Sequence, residues 1–152
     1  MMTPYLFVYG SLMSGITSPI ATYLKTNSRF MGAGWVQGRL YDIGNYPGLI
    51  ADNATKAKVV GHIFQLRNLE EMLPNLDHYE CIGPNFPEPH QYRRAIISVK
   101  TAHETLSCWA YLYNWDTKGL ALIESGNYLQ YFRDNQRYQD FVRSLNDFSR
   151  NG

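Results

Sequence analysis

The chain has 152 residues, a length that favours one domain, residues 1–152, built around a single sizeable core. An apolar fraction of 45% and a charged fraction of 18% are ordinary for a soluble globular protein, and a net charge of +1 gives no reason to expect nucleic acid or a membrane surface as a partner. Cys81 and Cys108 are too few for a disulfide framework and lack the paired spacing of a zinc site, so we expect a cytoplasmic protein.

The first predicted element is a strand at residues 5–9, which are aromatic or aliphatic throughout. Such a run is typical of a strand buried on both faces, and it is too short for a signal peptide or a membrane span. The strand stops at Gly10 and Ser11, where a glycine allows a turn or the close approach of a ligand. Taken alone, this loop indicates either a tight turn or a site for a small carboxylate.

A short helix is predicted next, with Ser18 as its N-cap and Pro19 in its first turn. Residues 30–43 combine strand-forming residues with three glycines, a pattern found where a strand bends around a closed or strongly curved sheet. After a turn rich in Gly, Asn and Pro, two further strands are predicted at residues 49–52 and 58–66.

Residues 68–80, NLEEMLPNLDHYE, show helical spacing, with Asn68 as the N-cap. We expect Pro74 to split this segment into two short helices, with Glu80 at the end of the second. Residues 81–91 contain three prolines and are predicted to form a loop that could act as a lid.

Two strands, at residues 92–101 and 105–115, are predicted to form a hairpin. The chain then ends in a predicted helix whose apolar stripe includes Phe141, Val142, Leu145 and Phe148. This order of elements predicts an α+β domain with a small, mixed, strongly curved β-sheet or β-barrel flanked by short helices.

Glu80 is the candidate catalytic carboxylate because it lies among aromatic and apolar neighbours where a helix gives way to a proline-rich loop. Burial there would raise its pKa and make it a usable proton carrier. The alternative is a solvated glutamate at a helix end. Asp77 is the weaker candidate, since it could instead pair with the backbone or with Arg93 or Arg94.

Other kinds of site find little support in the sequence. The phosphate-binding and dinucleotide-binding glycine motifs are absent, which argues against a nucleotide cofactor. His62, His78, His90 and His103 share no metal-binding spacing, so no metal site is predicted. Cys81 could be a thiol nucleophile with His78 or His90 as its partner, although a buried, inert cysteine is the simpler interpretation.

Several short motifs, taken in order and spacing, resemble the γ-glutamylcyclotransferase-like family over most of the chain. The motifs are VYGSL at 8–12, LYDIGNYPGLI at 40–50, GHIFQL at 61–66, LDHYE at 76–80, YRR at 92–94 and SGNY at 125–128. The resemblance implies a small β-barrel flanked by helices. Two departures are visible: Cys81 stands where many members have glycine, and Asn127 stands where aspartate is common.

The resemblance also implies the residues of the site. It implies that Glu80 carries out the proton transfer. It also implies that a loop formed by Tyr9, Gly10, Ser11 and Leu12 binds the γ-glutamyl part of the substrate. Tyr92, which opens the strand with the Y-x-R pattern, is implied to make a further contact with the substrate. Which leaving amine is accepted would depend on the shape made by residues such as Tyr46, Phe86 and Tyr113.

The activity implied is a cofactor-free γ-glutamyl cyclotransferase acting on a small-molecule γ-glutamyl substrate. The substrate's own α-amine attacks the γ-carbonyl, which closes the 5-oxoproline ring and expels an amine or amino acid. Such intramolecular attack can contribute of order 7 kcal/mol, so no serine or cysteine nucleophile is needed. The alternatives are a non-catalytic module that binds a small carboxylate or a partner, and lyase or hydrolase chemistry with Glu80 activating water.

Overall fold

The computed structural model describes residues 3–10, 18–44 and 46–134. Residues 128–134 are helical. The other elements, in chain order, are β1 (Tyr5–Val8), α1 (Pro19–Thr26), β2 (Ser28–Asp42), β3 (Pro47–Ala51), β4 (Lys58–Leu66), α2 (Leu69–Tyr79), β5 (Tyr92–Lys100), β6 (Thr105–Tyr113) and β7 (Ala121–Leu122).

Five strands close into a mixed barrel in the order β2-β4-β1-β6-β5, and β5 returns to β2 where Trp35 pairs with Lys100. The β1–β6 pair is parallel and the other pairs are antiparallel. The short strands β3 and β7 pair with the second half of β2. The predicted α+β fold, a small curved mixed sheet closed into a barrel and flanked by short helices, is therefore confirmed.

The barrel has two apolar layers, one inside it and one between its outer face and the helices. Alternate residues of β1 serve both layers: Leu6 and Val8 pack with Leu24 of α1 and Leu76 of α2, whereas Phe7 packs in the interior layer. Leu6 and Phe7 are both fully buried. The unbroken apolar character of β1 follows from burial on both of its faces.

The curvature of β2 depends on glycine, as the sequence predicts. The register between β2 and β4 shifts between Phe30 and Gly32, and Gly32 has a φ of +112°, which favours glycine. A side chain at Gly34 would place its Cβ 2.7 Å from Cγ1 of Val99. The bulge and this close approach let one 15-residue strand wrap around the barrel.

The two helices begin as the sequence predicts. In α1 the Ser18 hydroxyl accepts a hydrogen bond from the Ala21 amide at 3.1 Å, and in α2 the Asn68 side chain accepts one from the Glu71 amide at 3.2 Å. The predicted break at Pro74 is wrong, because α2 runs continuously past it. Pro74 lies in the middle of α2 on its exposed side, and the carbonyl left without a donor is that of the exposed Glu70, which solvent can hydrate.

The remaining segments largely agree with expectation. The hairpin of β5 and β6 turns at residues 101–104, and residues 81–91 contain neither helix nor strand. The predicted apolar stripe of the last helix lies outside the described residues. No helix in the described part of the chain combines the length and apolar character required to cross a bilayer.

Candidate active site

A cavity of about 290 Å³ opens beside the end of β1. The cavity brings together residues distant in sequence: the end of β1, the start of β3, the end of α2, the start of β5 and the end of β6. Its lining residues are Phe7, Val8, Tyr9, Gly10, Tyr46, Pro47, Tyr79, Glu80, Cys81, Gln91, Tyr92 and Tyr111.

Four of the residues selected from the sequence, Tyr9, Gly10, Glu80 and Tyr92, line this one cavity. Ser11 and Leu12 lie outside the described residues. Tyr46, expected to shape the leaving-amine side, also lines the cavity. Tyr111 and Gln91 are lining residues that the sequence analysis missed, because nothing in the local pattern of a strand or a loop marks which side chain faces a cavity.

Gly10 explains why the buried strand β1 ends as it does. A Cβ atom at this position would lie 2.8 Å from Cγ of Pro47, closer than real side-chain contacts. The absence of a side chain therefore lets the end of β1 pass close to β3 at the cavity wall. Any other residue would force the strand end and Pro47 apart.

Glu80 is placed at the cavity by the way α2 ends. The Ile82 amide donates to the Asp77 carbonyl at 2.9 Å, and the Cys81 amide donates to the His78 carbonyl at 3.0 Å. These two bonds form a Schellman motif, whose residue after the C-cap adopts a left-handed conformation and is usually glycine. Cys81 occupies that position with a φ of +59°, so the departure from the family pattern at Cys81 falls on a backbone position that favours glycine.

The expectation that Cys81 is buried is wrong, since its side chain is exposed and lines the cavity. The reason is the same left-handed turn, which carries residue 81 out of the helix packing. The two histidines considered as its partners make other contacts: the His78 ring packs on Phe86, and Nε2 of His90 lies 3.1 Å from the Gly83 carbonyl.

The environment of Glu80 gives its carboxyl group an unusual proton affinity. The side chain is half-buried, and loss of hydration raises its pKa from the ordinary 4.5 to about 7, with a further contribution from the negative charge of Asp77. A carboxyl group with this pKa is present in both protonation states near neutral pH. It can therefore accept a proton and return it at little cost.

Two partners hold the Asp77 side chain in place. Nη1 of Arg94 lies 3.0 Å from Oδ2 and 3.2 Å from Oδ1, and the Tyr111 hydroxyl donates to Oδ1 at 2.7 Å. The Arg94 guanidinium also lies over the ring of Trp109, 4.8 Å from its centroid. Of the partners predicted for Asp77, Arg94 is thus confirmed. The contact with Tyr111 was not foreseen.

Tyrosine hydroxyls tie the walls of the cavity together. The Tyr9 hydroxyl donates to the Tyr111 carbonyl and accepts from the Leu49 amide at 3.3 Å, and the Tyr92 hydroxyl donates to the Pro47 carbonyl at 2.5 Å. Burial, followed by the charge of Glu80, raises the pKa of Tyr9. These links join the end of β1 to β3 and β6, and β5 to β3, in the wall of the cavity that Glu80 also lines.

Asn127, the second departure from the family pattern, does not line the cavity. Its side-chain oxygen accepts a hydrogen bond from the Gln130 amide at 3.2 Å, which caps the helical segment 128–134. Asparagine and aspartate serve almost equally well at such a position. This departure therefore lies outside the cavity lining that the structure describes.

The described residues contain no group of three or more His, Cys, Asp or Glu side chains arranged to hold a metal ion. What the cavity offers is one carboxyl group that titrates near neutral pH, beside several neutral tyrosines. Such an arrangement suits proton transfer to and from a small bound molecule.

Comparison with known proteins agrees with this fold. The Citrobacter rodentium protein described as gamma-glutamylcyclotransferase family protein ytfP is 33% identical over 125 residues, which cover 82% of this chain and 94% of the relative. The solution structure of ytfP from Escherichia coli superimposes with a TM-score of 0.58 at 29% identity, covering 82% of this chain and 96% of that one.

YkqA from Bacillus subtilis has the same fold, with a TM-score of 0.67 at 18% identity. That match covers 90% of this chain and 43% of YkqA. The sequence model of the family described as gamma-glutamyl cyclotransferase, AIG2-like, matches residues 6–130, which include the end of β1, Glu80 and Tyr92. The chain therefore belongs to the gamma-glutamyl cyclotransferase, AIG2-like family.

Proposed function

We propose that the chain is a cofactor-free γ-glutamyl cyclotransferase with Glu80 as its proton-transfer residue. The observation that carries the proposal is the half-buried Glu80 carboxyl, whose pKa of about 7 is set by burial inside a tyrosine-lined cavity. Membership of the family supports this class of chemistry.

The first step is removal of a proton from the substrate's α-ammonium group, because an ammonium ion has no lone pair with which to attack. An ordinary glutamate, with a pKa of 4.5, is a poor base for an aliphatic ammonium group, whose pKa lies several units higher. The raised pKa of Glu80 narrows that gap, so proton transfer to it costs less free energy.

The freed amine then attacks the γ-carbonyl carbon of the same molecule, forming the ring C–N bond. Collapse of the tetrahedral intermediate breaks the bond to the leaving nitrogen, which takes the proton held by Glu80. Glu80, ionised again, then takes the second proton that the ring nitrogen loses as it becomes a neutral lactam, and passes it to the expelled amine. The products are 5-oxoproline and the protonated amine, and Glu80 is again ionised. Because nucleophile and carbonyl belong to one molecule, the protein needs only to bind, orient and exchange a proton.

The segment that begins at Gly10 is proposed to hold the γ-glutamyl part of the substrate, through backbone amides of Gly10, Ser11 and Leu12 that could also stabilise the developing oxyanion. Tyr9 and Tyr92 complete the binding wall. The apolar surroundings favour ring closure over attack by water.

The test is to incubate the purified protein with a panel of γ-glutamyl amines, amino acids and peptides and to measure 5-oxoproline and glutamate separately. The proposal expects 5-oxoproline together with an equimolar free amine. Release of glutamate would instead indicate hydrolysis with Glu80 activating water. Binding of the compounds without either product would indicate a non-catalytic binding module.

A further inference from the structure

Three tyrosines that line the cavity have their hydroxyl hydrogens committed to protein acceptors. Tyr92 donates to the Pro47 carbonyl, Tyr9 to the Tyr111 carbonyl, and Tyr111 to the Asp77 carboxylate. Carbonyl and carboxylate oxygens accept hydrogen bonds and cannot donate them. The tyrosine must therefore be the donor in each pair. Toward a molecule bound in the cavity, each hydroxyl oxygen can then act only as a hydrogen-bond acceptor.

The Tyr92 oxygen has more capacity left to accept a hydrogen bond than the Tyr9 oxygen has. The Tyr9 oxygen already accepts from the Leu49 amide at 3.3 Å, whereas the bond to Pro47 is the one hydrogen bond that the described residues make with the Tyr92 hydroxyl. Burial, followed by the charges of Tyr9 and Glu80, raises the pKa of Tyr92. The Tyr92 hydroxyl therefore stays protonated and neutral, and it donates its hydrogen bond to the Pro47 carbonyl.

The charges around the cavity also favour a bound cation over a bound anion. Among the described lining residues, Glu80 is the single carboxylic acid, and none is a lysine, arginine or histidine. The nearby cation, Arg94, is engaged by Asp77. Tyrosine oxygens that can only accept hydrogen bonds, next to a carboxylate, favour binding of a positively charged hydrogen-bond donor and disfavour binding of an anion.

We infer that Tyr92 accepts a hydrogen bond from the substrate's α-ammonium group and, with Glu80, makes this side of the cavity a site for a primary ammonium ion. The inference rests on the proposed function and deepens it, because it assigns the orientation of the substrate. With the ammonium at Glu80 and Tyr92, these hydroxyls have no hydrogen to donate to an oxyanion. The negative parts of the substrate must then be bound away from the Tyr92 hydroxyl.

Binding of two inert probes tests this inference without any turnover. L-Norleucine carries an α-ammonium group and a carboxylate on a chain that has no carbonyl to attack, and hexanoate is the same chain without the ammonium. The wild-type protein should bind norleucine about tenfold or more tightly than hexanoate, the effect of a hydrogen bond to a charged group. Calorimetry or NMR titration at pH 7 measures both affinities.

The substitution Tyr92→Phe keeps the ring and removes the acceptor. It should reduce the preference for norleucine by about tenfold and leave hexanoate binding almost unchanged. Tyr113→Phe is the matched control, because the Tyr113 ring packs edge-on against Tyr92 at 5.7 Å and is not among the residues that line the cavity. An unchanged preference in Tyr92→Phe, or an equal loss for both probes, would overturn the inference.

A measurement on the wild-type protein keeps the inference testable if Tyr92→Phe does not fold. With tyrosine labelled at ¹³Cζ, the Tyr92 resonance should shift on addition of norleucine and stay in place with hexanoate. A Tyr92 signal that ignores norleucine, or equal affinity for both probes, contradicts the inference. If the protein converts γ-glutamyl compounds but binds norleucine no more tightly than hexanoate, this inference is wrong and the proposed function stands. If the protein prefers norleucine but converts no γ-glutamyl compound, the proposed function is wrong and the ammonium site stands.

Discussion

Asp77, in the last turn of α2, and Glu80, the C-cap of that helix, lie three residues apart, and the charge of Asp77 raises the proton affinity of Glu80. Residues at this spacing share one face of a helix. Because Arg94 and Tyr111 fix the Asp77 carboxylate, its distance from Glu80 is set by the fold and not by a mobile surface chain. Asp77 thus acts on the site without lining the cavity.

The substitution Asp77→Asn should lower the pKa of Glu80, because it removes the like charge while leaving an oxygen that can accept from Tyr111. NMR titration of the Glu80 side-chain carboxyl measures the change directly. In the cyclotransferase reaction, the acid limb of the kcat/KM profile should move to lower pH.

Arg94→Gln is the control for the broken ion pair. It removes the same contact but keeps the charge of Asp77, so it should not shift the Glu80 titration to lower pH. If both variants lower the Glu80 pKa alike, the effect comes from loosening of the helix end, and the electrostatic role given to Asp77 is wrong.

The stability of the protein should record the unusual pKa of Glu80. The folded protein binds the Glu80 proton more tightly than the unfolded chain does, so the contribution to stability is complete below about pH 4.5 and is lost as the pH rises through about 7. Glu80→Gln should therefore equal the wild type in unfolding free energy near pH 4. Near pH 8 it should be more stable by about 1 to 2 kcal/mol, after allowance for partial exposure.

Urea denaturation at the two pH values checks this prediction. Glu70→Gln, at an exposed-face position near the start of the same helix, serves as the control and should show no comparable gain at pH 8. Equal stability of Glu80→Gln and wild type at pH 8 would mean that the carboxyl group is well hydrated.

Cys81 should be suboptimal for stability at its position. A residue with a side chain is strained at a φ of +59°, whereas glycine is not, so Cys81→Gly should stabilise the fold by about 1 kcal/mol. Cys81→Ala removes the thiol but keeps the Cβ, and it should give no such gain. Thermal unfolding of the two variants separates relief of backbone strain from loss of the thiol. Equal stability of Cys81→Gly and Cys81→Ala would contradict the claim that residue 81 is strained.

The elements that sequence predicts well here are those with local causes. The fully apolar run of β1, the Ser18 cap of α1 and the glycines of β2 each carry a chemical reason that holds in any context. Pro74 misled because its effect depends on which side of the helix faces solvent, and that side is set by packing against the barrel.

The candidate site shows the same division. Glu80 and Gly10 could be found from motifs in order along the chain, but the pairing of Asp77 with Tyr111 joins residues 34 apart in sequence. The tyrosine hydroxyls likewise donate to carbonyl groups that are distant in sequence, as Tyr92 does to Pro47, 45 residues away. Such contacts are products of barrel closure and have no local signature.

The most direct test of the account compares 5-oxoproline formation by wild-type protein and Glu80→Gln on the best γ-glutamyl substrate of the panel. Removal of the base should lower kcat by at least about a hundredfold, the usual scale of general acid–base catalysis, while the variant stays folded. Glu70→Gln should retain full activity. Wild-type turnover by Glu80→Gln would contradict the central claim that the half-buried carboxyl group of Glu80 moves the proton.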